Sequence, residues 1–85
     1  MPEKTVTVGS RIGLHARPAA LIAEASNAMS SAVTIATQGG APVDAGSALL
    51  IMTLGAKLGD EVVVASDDQA AVDKVADLVE QDLDA

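Results

Sequence analysis

Not one phenylalanine, tyrosine, tryptophan or cysteine occurs among the 85 residues of this chain. Its core has to be assembled from Val, Leu, Ile, Met and Ala, without a disulfide to help. A chain of this length buries only about 60–65% of the surface its unfolded form exposes. With 49% hydrophobic residues it still has the material to fold alone, and a single domain over residues 1–85 is expected. Lack of cysteine is compatible with a reducing cytosol. Met1-Pro2-Glu3-Lys4-Thr5 leads into no apolar stretch of a signal peptide. No apolar run approaches the roughly 20 residues that span a bilayer. The expectation is a soluble cytoplasmic protein without stable membrane association.

The net charge of −7 is unevenly spread. Residues 1–20 carry Lys4, Arg11 and Arg17 against Glu3, whereas from Asp60 onward nine carboxylates face only Lys74. The acidic tail reads as a solvated helix face. With no basic stripe and no aromatic ring for base stacking, the composition argues against nucleic-acid binding.

Periodicity gives the order of elements. Thr5-Val6-Thr7-Val8 alternates polar and apolar residues, as a half-buried strand does, and Gly9-Ser10 ends it. From Ala16 a helix is expected to about residue 28, with Leu21, Ile22, Ala25 and Met29 as its apolar face. Residues 32–37 alternate again, Gly39-Gly40 turns, and residues 41–44 form a short arm. Pro42 assigns that arm to a sheet edge, where a missing N–H is tolerated. Ser47 is a good N-cap and Gly55 a good C′ residue for the short helix between them. The valines of residues 61–65 mark a central strand. Ser66 and Gln69 fit a capping box opening a last helix with Val72, Val75, Val79 and Leu83 on one stripe. Strand, helix, strand, strand, short helix, strand, helix is an α+β order. It implies helices on one face of an antiparallel sheet.

The chemistry concentrates in Gly13-Leu14-His15-Ala16-Arg17-Pro18-Ala19-Ala20, which holds the sole histidine. His15 falls at a helix entrance with Ala16, Arg17 and Pro18 as the first turn. Proline there loses an N–H that would have no intrahelical partner. The remaining first-turn amides and the helix dipole make an anion site before any side chain is counted. Arg17 adds a fork shaped for phosphate or carboxylate oxygens. The same positive field disfavours protonation of His15, which points to a neutral, nucleophilic imidazole. Attack on a phosphoryl group would give a labile phosphohistidine, steadied by Arg17 and the amides of Ala16 and Arg17. One histidine and no cysteine offer no recognisable metal site, and no cofactor is called for. From the residues alone a second reading stands beside this one: a small regulatory domain with an anion pocket and no covalent chemistry.

This eight-residue segment resembles the active-site signature of HPr, the histidine-containing phosphocarrier family of the phosphoenolpyruvate-dependent sugar phosphotransferase system. Gly13, Leu14, His15, Arg17, Pro18, Ala19 and Ala20 fill the signature without a gap. Chain length, element order and the segment from Ser47 to Val64 resemble the family too. The resemblance implies an open-faced sandwich of four antiparallel strands and three helices in the order βαββαβα. It implies a monomeric phosphocarrier rather than an enzyme. His15 would take a phosphoryl group on Nδ1 from phosphorylated enzyme I and pass it to IIA domains of sugar permeases.

Leu49, Leu50, Ile51, Met52 and Leu54 cannot all face inward on so short a helix, and an exposed apolar patch often marks a partner surface. In the family the corresponding helix docks on enzyme I and IIA partners. The resemblance therefore implies a small, weak docking surface of Leu14, Ala20, Ala48, Leu49 and Met52, with acidic partner residues meeting Arg17. Ser47 resembles the serine that a dedicated serine kinase phosphorylates in some members. Around it the chain departs from the family pattern: Gly46 replaces a basic residue and Ala48 a large aliphatic one. Ser47 is thus read either as a regulatory site or simply as an N-cap. The residues do not separate sugar uptake from other branches of the system.

Overall fold

The alternating segments and apolar stripes resolve into seven elements in a computed structural model, which describes residues 2–81. They are β1 (Glu3–Thr7), α1 (Ala16–Asn27), β2 (Val33–Thr37), β3 (Val43–Asp44), α2 (Ala48–Thr53), β4 (Glu61–Ser66) and α3 (Gln69–Glu80). The strands pair antiparallel in the order β1-β4-β2-β3. β1 and β2 therefore point the same way, and β4 fills the gap between them. The register sets Val6 opposite Val62 and Ile35 opposite Val64. All four of these side chains lie on the covered face.

The central place of β4 is as its valines indicated, but its burial alternates. Val62, Val64 and Ser66 are buried, whereas Val63 and Ala65 are half-buried on the open face. The valine run thus belongs to a sheet covered on one side. β3 is one of the two edge strands, directly after Pro42. The edge position tolerates that proline's missing donor.

α3 packs on β1 and β4, and α1 lies against α2 and α3. Val72, Val75 and Val79 are fully buried, joined by Ala71 and Ala76, while Asp73, Lys74, Asp77 and Glu80 are exposed. Leu83 lies outside the described residues. Each large aliphatic side chain fully buried in this core, such as Ile22, Ile35 or Ile51, contributes about 1.5–3 kcal/mol by leaving water.

Two local expectations are corrected. The buried face of α1 is Pro18, Ala19, Ile22, Ala23 and Ser26, whereas Leu21 is 37% exposed and Ala25 and Met29 are half-buried. Positions 18, 19, 22, 23 and 26 form one stripe at helical spacing, and Leu21 falls outside it. The N-cap of α3 is Asp68, whose carboxylate accepts from the Ala70 amide at 3.0 Å. Ser66 belongs to the sheet. Its buried hydroxyl donates to the Ala32 carbonyl at 2.8 Å and accepts from the Asp68 amide at 3.3 Å.

Candidate functional site at the entrance of the first helix

The chain arrives at α1 along a braced path. The Gly9 amide donates to Val79 O at 3.0 Å, and the Ser10 hydroxyl donates to Gln81 O at 3.2 Å. Both contacts fasten the segment to the end of α3. The Gly13 amide donates to Ser10 O, and the Leu14 amide to Ala56 O at 3.0 Å. Gly13 adopts φ +74°, and a Cβ there would overlap the Ala56 carbonyl. Glycine alone combines that conformation with so close an approach.

His15 follows as the N-cap of α1, with φ −93° and ψ −163°. Its carbonyl accepts the first intrahelical bond, from the Ala19 amide at 2.9 Å. Its side chain makes no capping bond, and the residue is exposed. The imidazole is therefore held out at a fixed point between buried neighbours, Leu14 before it and Pro18 and Ala19 after it.

Ala16, Arg17 and Pro18 are the first three helical residues. The amides of Ala16 and Arg17 have no carbonyl one turn earlier to bond, and Pro18 has no amide to satisfy. The dipole of this twelve-residue helix adds roughly half a positive charge at the same end. Arg17 is exposed and forms no ion pair with a described residue. An exposed histidine, an exposed arginine and two first-turn amides thus share one helix end. Such an arrangement can hold a tetrahedral dianion and present a nitrogen nucleophile to it.

The other expected residues separate into two groups. Ala20 and Leu49 are exposed, Leu49 by 69%, and Ala48 and Met52 are half-buried. Leu14, read as part of the docking face, is instead a core residue with 3% exposure. It anchors the histidine segment from below and offers no side chain to a partner. Ile12 (58%) and Leu58 (55%) are exposed apolar residues that the sequence reading did not single out. Both lie in turns, where periodicity carries no signal about orientation. Ser47 is half-buried, and its hydroxyl accepts from the Leu50 amide at 3.3 Å as the N-cap of α2. Gly55 follows the end of α2 with φ +65°, as a C′ glycine does. Among the described residues no cluster of three or more His, Cys, Asp or Glu could hold a metal ion. No helix among them is long and apolar enough to cross a membrane.

Residues 2–81 match the family described as PTS HPr component phosphorylation site. The chain is 45% identical to "Phosphocarrier protein HPr" of Streptomyces coelicolor, over 99% of this chain and 94% of that protein. It is 34% identical to "HPr-like protein Crh" of Bacillus subtilis, over 98% of this chain and 100% of that one. Among solved structures it is similar to HPr-C-His from Thermoanaerobacter tengcongensis, with a TM-score of 0.88 and 32% identity. That match covers 100% of this chain and 98% of the other. By sequence and by fold, the chain belongs to the HPr family of phosphocarrier proteins of the phosphotransferase system, which are carriers rather than enzymes.

Proposed function

We propose that this protein relays phosphoryl groups through His15, accepting them from phosphorylated enzyme I and handing them to IIA domains of sugar permeases in the cytoplasm. The supporting observation is an exposed imidazole that does not cap its own helix, beside Arg17 and the first-turn amides. A ring engaged in capping would have one nitrogen occupied. This one spends neither on its own helix.

In the accepting step the unprotonated Nδ1 of His15 attacks phosphorus. A new N–P bond forms as the bond between phosphorus and the donor's carrier atom breaks, and the electron pair of that bond returns to the donor. Nε2 of His15 keeps its proton throughout. Arg17 and the amides of Ala16 and Arg17 hold the phosphoryl oxygens and disperse their charge. The handing-on step is the same exchange in reverse, with a nucleophile of the IIA domain attacking phosphorus and the electron pair of the N–P bond returning to Nδ1 of His15. Docking by Ala20, Ala48, Leu49 and Met52 brings the partner's phosphorus in line. Acidic partner residues then meet Arg17. The interface is small, so that the carrier leaves again.

Ser47 is the second proposed modification point, for a serine kinase. A phosphate there would add negative charge beside the docking residues Ala48 and Leu49, opposing acidic partners.

The relay is tested by mixing the protein with phosphoenolpyruvate and enzyme I and measuring its mass. The expected adduct is one phosphoryl group, lost in acid, kept in alkali and absent from His15→Ala. An unchanged wild-type mass would overturn the reading.

A further inference from the structure

α2 is six residues long. A helix that short does not hold itself together in water, so its position is set by Ile51 packing into the core and by what its ends are tied to. Its leading end is tied from three directions. The Ala45 amide donates to Val33 O at 2.9 Å, joining it to β2. The Gly46 amide donates to Asp44 Oδ1 at 2.8 Å and the Ser47 amide to Asp44 O at 3.1 Å, closing a local turn. The third tie comes from the last residue of α1: Asn27 Nδ2 donates to the Gly46 carbonyl at 2.9 Å. α1 carries His15 at its opposite end, and α2 carries Leu49. Asn27 thus links the helix that presents the imidazole to the helix that presents the apolar patch.

Gly46 is shaped to this link. A Cβ at position 46 would overlap Asn27 Oδ1 and come within 3.2 Å of its Cγ. The space a side chain at position 46 would need is taken mainly by Asn27, with Asp44 Oδ1 3.1 Å from the same point.

We propose that Asn27 is a positioning residue for phosphoryl transfer, setting α2 against α1 so that Leu49 and the His15 end of α1 meet a partner together. The proposal rests on the relay reading above. It assigns Asn27 a part in partner recognition and none in the chemistry, since it touches neither His15 nor its phosphoryl group.

A double-mutant cycle with steady-state transfer from phosphorylated enzyme I tests it, at a temperature well below every unfolding midpoint. Asn27→Ala is expected to raise KM for the donor about three- to tenfold, the range that one net hydrogen bond supports. kcat should stay within about twofold. Gly46→Ala should produce a similar rise by displacing Asn27. The double variant should be no worse than either single one, because removing the amide clears the overlap and leaves the new methyl only Asp44 Oδ1, at 3.1 Å, to displace slightly. Asn27→Asp keeps the shape without the donor, and is expected to repeat the KM rise should Asn27→Ala fold poorly. An unchanged KM with only a lowered unfolding midpoint would overturn the proposal. So would single effects that multiply, or a loss confined to kcat. A wild-type protein that accepts no phosphoryl group would remove the relay reading, and this inference with it. A normal wild type with an indifferent Asn27→Ala variant would sink this inference alone.

Discussion

Gly13 rests against the carbonyl of Ala56, turning through a positive φ so close to it that no side chain fits between them. That contact joins the segment before His15 to the loop before β4. The Leu14 amide, bonded to the same carbonyl, makes it a two-point attachment. Replacing Gly13 by Ala meets the backbone of residues 56 and 57, with Lys57 Cα only 2.9 Å from the new methyl. Backbone cannot swing aside as a side-chain tip can. The left-handed conformation alone costs a non-glycine residue about 1–2 kcal/mol. Gly13→Ala is expected to lose at least that much in urea unfolding and to slow phosphoryl acceptance in the molecules still folded.

Ile51 points the other way on α2 from Leu49, into the core with no exposed surface. Ile51→Ala is expected to cost about 2–5 kcal/mol, through lost burial and the cavity left behind. Leu49→Ala, on the exposed side, is expected to change stability by less than about 0.5 kcal/mol. It should weaken donor binding instead. Urea unfolding beside transfer kinetics distinguishes the two roles; equal stability losses would contradict the assigned orientation of α2.

The caps give a smaller, sharper comparison. Ser47→Ala and Asp68→Ala each remove a side-chain acceptor from a first-turn amide, of Leu50 and Ala70 respectively. Each is expected to cost about 1 kcal/mol. Amide exchange should locate the first loss in α2 and the second in α3.

Much of this architecture is written as periodicity. Alternation marked β1 and β2, and the edge and centre of the sheet followed from Pro42 and the unbroken valines of β4. The entrance of α1 was legible because Pro18 is compatible with only a few helix positions. Periodicity failed where two neighbouring apolar stripes were available on one helix. Leu21 and Ala25 pointed to one stripe of α1, yet the stripe through Ala19, Ile22, Ala23 and Ser26 is the one turned inward. It failed at Leu14 as well, since one residue in a turn has no period, and its inward direction is set by the Gly13–Ala56 contact across the fold. Ser66 and Asp68 are both good caps, two residues apart. Only the sheet's claim on Ser66 decides between them.

Arg17 is exposed, so its removal should leave the fold alone. A charged hydrogen bond to a phosphoryl oxygen contributes about 1.5–3 kcal/mol, so Arg17→Ala is expected to slow transfer about 10- to 100-fold. Arg17→Lys should recover part of the rate, keeping the charge without the fork. Far-UV circular dichroism and an unchanged urea midpoint would verify that the loss is chemical.

The protein has one histidine, so labelling histidine with 15N gives a single ring whose two nitrogens report directly on the chemistry. NMR before and after treatment with phosphoenolpyruvate and enzyme I is the most direct measurement. The account predicts that the Nδ1 signal of His15 moves and gains coupling to 31P, and that both changes reverse when a IIA acceptor is added. A protein that gains the mass of a phosphoryl group while both ring signals stay where they were would contradict it.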